Sequence, residues 1–169
     1  MVTLYNEKME TSRATVFKYY IETLIKEPDE NGILDVDVSF DCSWMRRGHK
    51  SHIGIRFAVE VNLLMVLDLD VLCIKCRQCN TKKTHECQKN LHGTSGGMEA
   101  ETAVRIWSRI TGYKMRFTTF IVDGDSSTYN AVCRLTHSPR YGNTLSRSPR
   151  VSFLCPLHQY ATCHRSERR

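Results

Sequence analysis

Ile33-Leu34-Asp35-Val36-Asp37-Val38-Ser39-Phe40-Asp41 alternates without a break. Leu34, Val36, Val38 and Phe40 share one side, and Asp35, Asp37, Ser39 and Asp41 share the other, the two-residue period of a half-buried strand. Upstream, Met9, Val16, Phe17, Tyr20, Ile21, Leu24 and Ile25 recur at helical spacing, so a helix is expected over about residues 5–27. Glu27-Pro28-Asp29-Glu30-Asn31-Gly32 ends it, because proline cannot continue a helix and Asn-Gly supplies a turn. Downstream, alternation returns at Ile53, Ile55, Phe57, Val59 and Val61, and at Leu67, Leu69, Val71 and Cys73. The link between these two strands, Asn62-Leu63-Leu64, is unusually apolar for a hairpin turn. A helix is expected at about 98–111, with Ala103, Ile106, Trp107 and Ile110 as its apolar stripe. Trp107 reads as core. Residues 117–122 read as a short strand ending at Asp123, and 126–135 as a short helix capped by Ser126 or Ser127. The fold class is α/β, a mixed sheet with flanking helices.

The organisation expected is an N-terminal helix at 1–27, a folded domain at 28–136 and a tail at 137–169. In the tail, His137-Ser138-Pro139-Arg140 and Ser146-Arg147-Ser148-Pro149-Arg150 break any apolar period, so disorder is expected there. The net charge of +6 is a property of that tail. Residues 1–133 hold 17 Lys+Arg against 17 Asp+Glu, whereas residues 134–169 hold seven Arg and the single acid Glu167. No run of about 18 apolar residues exists, so no membrane span is expected. The polar start, Met1 to Glu10, is not a secretory signal.

Cys76-x2-Cys79-x7-Cys87-x4-His92 lies in a polar loop over 73–97. Three thiolates and an imidazole close a tetrahedral Zn²⁺ site, and in a loop this poor in apolar residues a metal can replace the missing core. Cys73 and His85 are substitute ligands. A second group, Cys155, His158, Cys163 and His164, has ligand chemistry but sits in the tail. Clustered cysteines without a secretion signal favour metal binding in a reducing compartment over disulfides. Two-metal phosphoryl-transfer sites need carboxylates from separate elements. Asp41 closes the first strand and Asp123 follows a later one. They converge if those strands are neighbours, and Asp125 lies two residues further on. An Asp at a strand end is otherwise a turn residue. Asp35 and Asp37 are expected to be solvated, and Glu99 and Glu101 to serve a helix start. Trp44 with the basic Arg46-Arg47-Gly48-His49-Lys50 could meet a phosphate backbone.

Three motifs together resemble the Mutator-like transposases of animal genomes, over about residues 28–142. They are Val38-Ser39-Phe40-Asp41-Cys42-Ser43-Trp44 with Arg47-Gly48-His49, the cysteine cluster leading into Gly96-Gly97-Met98-Glu99-Ala100, and Phe120-Ile121-Val122-Asp123-Gly124-Asp125-Ser126-Ser127. The resemblance implies an incomplete ribonuclease-H-like mixed sheet with a zinc-binding loop insertion. It also implies a DDE-type site holding Mg²⁺ or Mn²⁺ for DNA cleavage and strand transfer. Asp41 is then the first acid and Asp123, or alternatively Asp125, the second. DNA is the implied partner, a homo-oligomer is compatible, and the nucleus is the expected location. The sequence departs from the family at Leu63-Leu64, where a turn-forming pair is usual, and at Val122, often glycine. It departs again after Tyr141, where the family continues toward a helical glutamate. The tail reads as a frameshifted or truncated continuation. Without a third acid the domain is expected to be a fragment with little or no activity. A zinc-stabilised nucleic-acid- or protein-binding module without catalysis is the alternative.

Overall fold

The computed structural model describes residues 2–45, 51–81, 83–122, 126–136, 150–153 and 161–162. Helix α1 (Val2–Glu22) leads into β1 (Leu34–Trp44), β2 (Ile53–Glu60) and β3 (Val66–Cys73). After a long loop come α2 (Ser95–Ile110), β4 (Met115–Val122) and α3 (Ser126–Thr136), then β5 (Arg150–Phe153) and β6 (Ala161–Thr162). The strands form one mixed sheet in the order β3-β2-β1-β4-β5-β6. β1, β2 and β3 make an antiparallel meander, and β4 lies parallel to β1. β5 pairs with β4 in parallel, and β6 with β5 antiparallel. These last two fall in the stretch expected to be disordered. β4 would otherwise offer a row of unpaired backbone groups, which favours pairing even by a segment without apolar period.

Helix α1 stops earlier than expected. Ile25 adopts a left-handed conformation (φ 50), and the Lys26 N–H reaches back to the Tyr20 carbonyl at 3.0 Å. The chain therefore turns before Pro28. Val16 and Tyr20 reach the core, while Ile21, Leu24 and Ile25 stay exposed. Leu64 in the β2–β3 turn is also left-handed, at φ 55. Ile25 and Leu64 are 83% and 75% exposed, so neither side chain offsets its strain by burial. A left-handed residue with a Cβ costs roughly 1–2 kcal/mol, and β-branching makes Ile25 the worse case. Ile25→Gly and Leu64→Gly are each expected to raise stability by about 0.5–1 kcal/mol in urea unfolding, less than the full strain because glycine loses more chain entropy. A loss of stability in both would contradict the strain.

The odd apolar turn is held by a buried carboxylate. Glu60 is fully buried and accepts the Tyr20 hydroxyl at 2.9 Å, the Asn62 N–H at 2.9 Å and the Leu63 N–H at 2.6 Å. It supplies acceptors that a turn-forming pair would not need.

One core joins Leu34, Val36, Val38 and Phe40 of β1 to Ala103, Ile106, Trp107 and Ile110 of α2, with Val16, Tyr20, Phe117, Phe120 and Val132. Phe117 and Phe120 are three apart yet both buried, which strict alternation forbids. The register explains it. Val36 pairs with Phe117 but Asp37 pairs with Thr119, so a bulge absorbs one residue of β4.

The β2–β3 half of the core face carries buried charges beside Ala58, Leu67 and Leu72. Gly54, Arg56, Ala58 and Glu60 are the buried residues of β2, while Ile53, Ile55, Phe57 and Val59 are half-buried on the opposite face. Arg56 pairs with Glu99 of α2 at 3.2 Å and donates to Thr128 of α3 at 3.0 Å. Asp68 accepts Arg109 of α2 at 2.6 Å and lies 3.7 Å from Arg13 of α1. Two helices, α1 and α2, are thus registered on the sheet by ion pairs and α3 by a hydrogen bond, and removing one charged partner strands the other in the interior.

Asp35 and Asp37 are half-buried and ion-paired, where full solvation was expected. Arg116 donates to Asp35 at 2.7 Å and to Asp29 at 3.0 Å, and Lys26 pairs with Asp37 at 3.4 Å. The Asp29 carboxyl is held below the usual carboxylate range, first by the Ile33 N–H, then by the Asn31 N–H and Arg116. A depressed acid contributes stability above its unfolded pKa, and that stability is lost as pH falls through the folded value. Asp29→Asn should therefore flatten the acid limb of a stability–pH profile and leave the alkaline limb unchanged. An unaltered acid limb would exclude this role.

Candidate metal centre and acidic strand end

β3 ends at Cys73, and the chain leaves the sheet into the loop. Asn90 brings it back. Its side chain accepts the Cys73 N–H at 2.8 Å and donates to the Val71 carbonyl at 2.7 Å, and its own N–H donates to the Cys73 carbonyl at 3.0 Å. These bonds clamp the loop's return to the free edge of β3, leaving the stretch between to be organised by other means.

Cys76, Cys79, His85 and Cys87 come together there, with all four ligand atoms within 4.8 Å of one another. A 3-10 turn at Gln78–Asn80 folds Cys79 back toward Cys76. The His85 Nε2 lies 3.5 Å from the Cys76 Sγ and 3.6 Å from the Cys79 Sγ. Metal–ligand lengths of about 2.3 Å to sulfur and 2.0–2.1 Å to nitrogen, at tetrahedral angles, place sulfur and nitrogen about 3.6 Å apart. The Cys79 and Cys87 sulfurs are closer, 3.3 Å, the spacing of thiols sharing a proton. The His85 Nδ1 lies 3.2 Å from the Lys83 carbonyl. Donation there leaves the Nε2 lone pair facing the sulfurs, as in metal-bound histidines. The set fits Zn²⁺ by ligand type, by number and by the spacing of His85 from Cys76 and Cys79, and binding would move the Cys79 and Cys87 sulfurs slightly apart.

His92, expected as the fourth member, is not in this group, and His85 takes its place. The pattern is therefore Cys-x2-Cys-x5-His-x-Cys. Spacing alone allows either histidine. The Asn90 clamp decides between them, because it ties the chain just before His92 to β3. Cys73, the other substitute, donates its thiol to the Lys75 carbonyl at 3.2 Å.

Electrostatics divides the sulfurs, favouring the thiolate at Cys76 and the protonated thiol at Cys79, whose proton a bound cation would displace. Backbone N–H groups, that of Gln88 first and then those of Gln78 and Cys79, bring the Cys76 thiol down to about 6. The Cys79 thiol is pushed up to about 11, chiefly by its hydrogen bond with Cys87. His85 is raised, first by its bond to the Lys83 carbonyl.

The acidic strand end is a separate place. Asp41 is exposed, and its Oδ1 accepts the N–H of Cys42 at 2.7 Å. It pairs across the sheet with Phe57, so it stands on the half-exposed face beside Ile55, Phe57 and Val59. β4 is β1's other neighbour, and its last residue Val122 pairs with Phe40, the residue before Asp41. Asp123 and Asp125 lie outside the described residues, as do Arg46–Lys50, Glu167 and the Cys155/His158/Cys163/His164 group. Glu99 and Glu101 are occupied by Arg56 at 3.2 Å and Arg105 at 2.9 Å, instead of serving a helix start. Trp44 is half-buried across Gly54, where an added Cβ would sit 2.9 Å from the ring. Among the described residues no helix is long and apolar enough to cross a membrane.

The family model described as Mutator-like transposase matches residues 1–145 of the chain. No curated protein and no solved structure matches it.

Proposed function

Because the chain belongs to the Mutator-like transposase family, we propose that it carries the ribonuclease-H-like, DDE-type core of a metal-dependent DNA strand-transfer domain. The observation that carries this reading is the pairing of β1 with β4. The two strands are parallel neighbours, and Val122 stands opposite Phe40, so the chain leaves β4 beside the residue preceding Asp41. Asp41 and Asp123, with Asp125 as the alternative second acid, would hold Mg²⁺ or Mn²⁺. Such ions polarise the attacking and leaving oxygens of a phosphodiester when about 3.5–4 Å apart. The protein's share is to set Asp41 near the end of β1, exposed and accepting the neighbouring Cys42 N–H, beside the point where the chain leaves β4.

Among the described residues beyond β4, neither α3 nor β5 nor β6 carries a carboxylate. The chain is thus read as transposase-related with little or no cleavage of its own. A plasmid-nicking assay with Mn²⁺ tests this. The expected result is nicking no greater than that of Asp41→Ala, with Mn²⁺ binding, read by electron paramagnetic resonance, weakened in that variant. Nicking that Asp41→Ala abolishes would overturn the inactivity, and Mn²⁺ binding untouched by Asp41→Ala and Asp123→Ala together would overturn the site.

The cysteine–histidine cluster favours a second reading, a zinc-stabilised nucleic-acid- or protein-binding module without catalysis. DNA affinity that survives the double aspartate variant supports it. The transposase reading makes DNA the partner and the nucleus the location to test, by imaging a tagged chain in cells.

A further inference from the structure

Between the metal loop and the β1–β2 hairpin lies a cleft of about 620 Å³. Met45 and Ser51, the two ends of the hairpin connection, form one wall. Lys75, Cys76, Arg77 and Gln78 form the other. Lys75 and Arg77 are exposed, and no carboxylate is among the described lining residues. Five other described arginines are neutralised. Arg13, Arg56, Arg105, Arg109 and Arg116 all have acidic partners. Lys75 and Arg77 have no ion pair among the described residues.

We propose that this cleft grips the phosphate backbone of duplex DNA, with the metal loop as one wall. The inference rests on the DNA-binding reading above and assigns that binding to named residues. Cys76 connects the two features. It belongs to the metal group, lines the cleft, and lies between Lys75 and Arg77 in sequence. Metal bound through Cys76 would fix the backbone from which both cations project. Fixed cations lose less freedom on meeting a phosphate than cations on an unordered loop. Position also fits. Met45 follows Asp41 by four residues of extended chain, about 13 Å, or about four base-pair steps of duplex rise. A backbone held in the cleft therefore passes within a few nucleotides of the acidic strand end.

The test is fluorescence anisotropy of the full zinc-loaded chain with a labelled duplex, across a salt series. Each phosphate contact contributes about 0.9 to the slope of log affinity against log salt. Lys75→Ala/Arg77→Ala should lower that slope by about 1.8. Wild type would then lose about tenfold more affinity than the variant between roughly 50 and 200 mM salt. Lys8→Ala/Lys18→Ala, which removes equal charge from exposed positions on α1, should leave the slope near wild type. Chelation, with metal loss verified, should bring wild type to the slope of the Lys75/Arg77 variant. If wild type binds and the Lys75/Arg77 variant keeps its affinity and slope, the cleft assignment falls while DNA binding stands. Binding untouched by verified metal loss removes the metal wall. If wild type binds no DNA, the DNA-binding reading fails and takes the cleft with it.

Discussion

Cys79→Ser is expected to release one equivalent of zinc and to unfold the stretch between Cys76 and Cys87 while the sheet remains. The magnitude follows from composition. Between those residues the loop buries almost nothing, and its neighbours Gln78, Cys79, Asn80 and Thr81 are all exposed. Structural zinc in small Cys/His sites binds with about 10–16 kcal/mol near neutral pH, far more than the few apolar contacts here could supply. Native mass spectrometry would read the stoichiometry, and hydrogen exchange the local protection. Two further variants locate the fourth ligand. His85→Ala should lose the metal and His92→Ala should keep it, because only His85 stands with the three sulfurs. Cys73→Ser should also keep it. A chain that purifies without stoichiometric metal, and whose loop protection is the same in Cys79→Ser, would refute the centre. The sheet should survive because its cohesion lies elsewhere, in the aromatic core and the ion pairs of Asp68 and Arg56.

Trp107→Ala should cost about 3–5 kcal/mol, the range for deleting a large buried aromatic. Trp107 is fully buried on α2. Its ring meets Phe117 at 5.0 Å, Phe120 at 4.9 Å and Phe40 at 5.8 Å, all edge-to-face. Edge-to-face pairs add stability beyond area burial. These three phenylalanines come from β1 and β4, so the indole also holds together the two strands proposed to carry the acids. Its Nε1 has no hydrogen-bond partner among the described residues. Trp107→Phe removes that unpaired donor and should therefore cost well under half as much as the alanine change. Urea unfolding reads both. A loss below about 1 kcal/mol in Trp107→Ala would mean that the core closes over the cavity.

Much of this architecture was legible in the chain itself. Period-two alternation at 33–41, period 3.6 around Trp107, and Cys76-x2-Cys79 in a polar loop are local signals, and local signals survive without a partner. Glu60 was illegible for the opposite reason. Nothing around it marks a carboxylate that caps a turn, because the N–H groups it accepts and the Tyr20 hydroxyl meet only in the folded chain. The buried faces of β2 and β3 were misleading in the same way. Their apolar residues alternate cleanly, yet the face turned to the helices holds Arg56, Glu60 and Asp68, made tolerable by Glu99, Tyr20 and Arg109 from distant positions. Asp35 and Asp37 were read as solvated because Arg116 and Lys26 are remote in sequence.

By itself, then, the sequence determined which segments as far as α3 are strands and helices, that a cysteine-rich loop interrupts them, and which family motifs they carry, but not β5 and β6. Period and ligand type are properties of neighbours along the chain. Tertiary structure alone decided that β1 and β4 are adjacent, that a bulge at residues 117–119 keeps both Phe117 and Phe120 in the core, and that His85 rather than His92 joins the sulfurs. Each of those outcomes depends on a strand or clamp far away in sequence. A one-residue change of register reverses every side chain beyond it, and no local pattern records where that residue is absorbed.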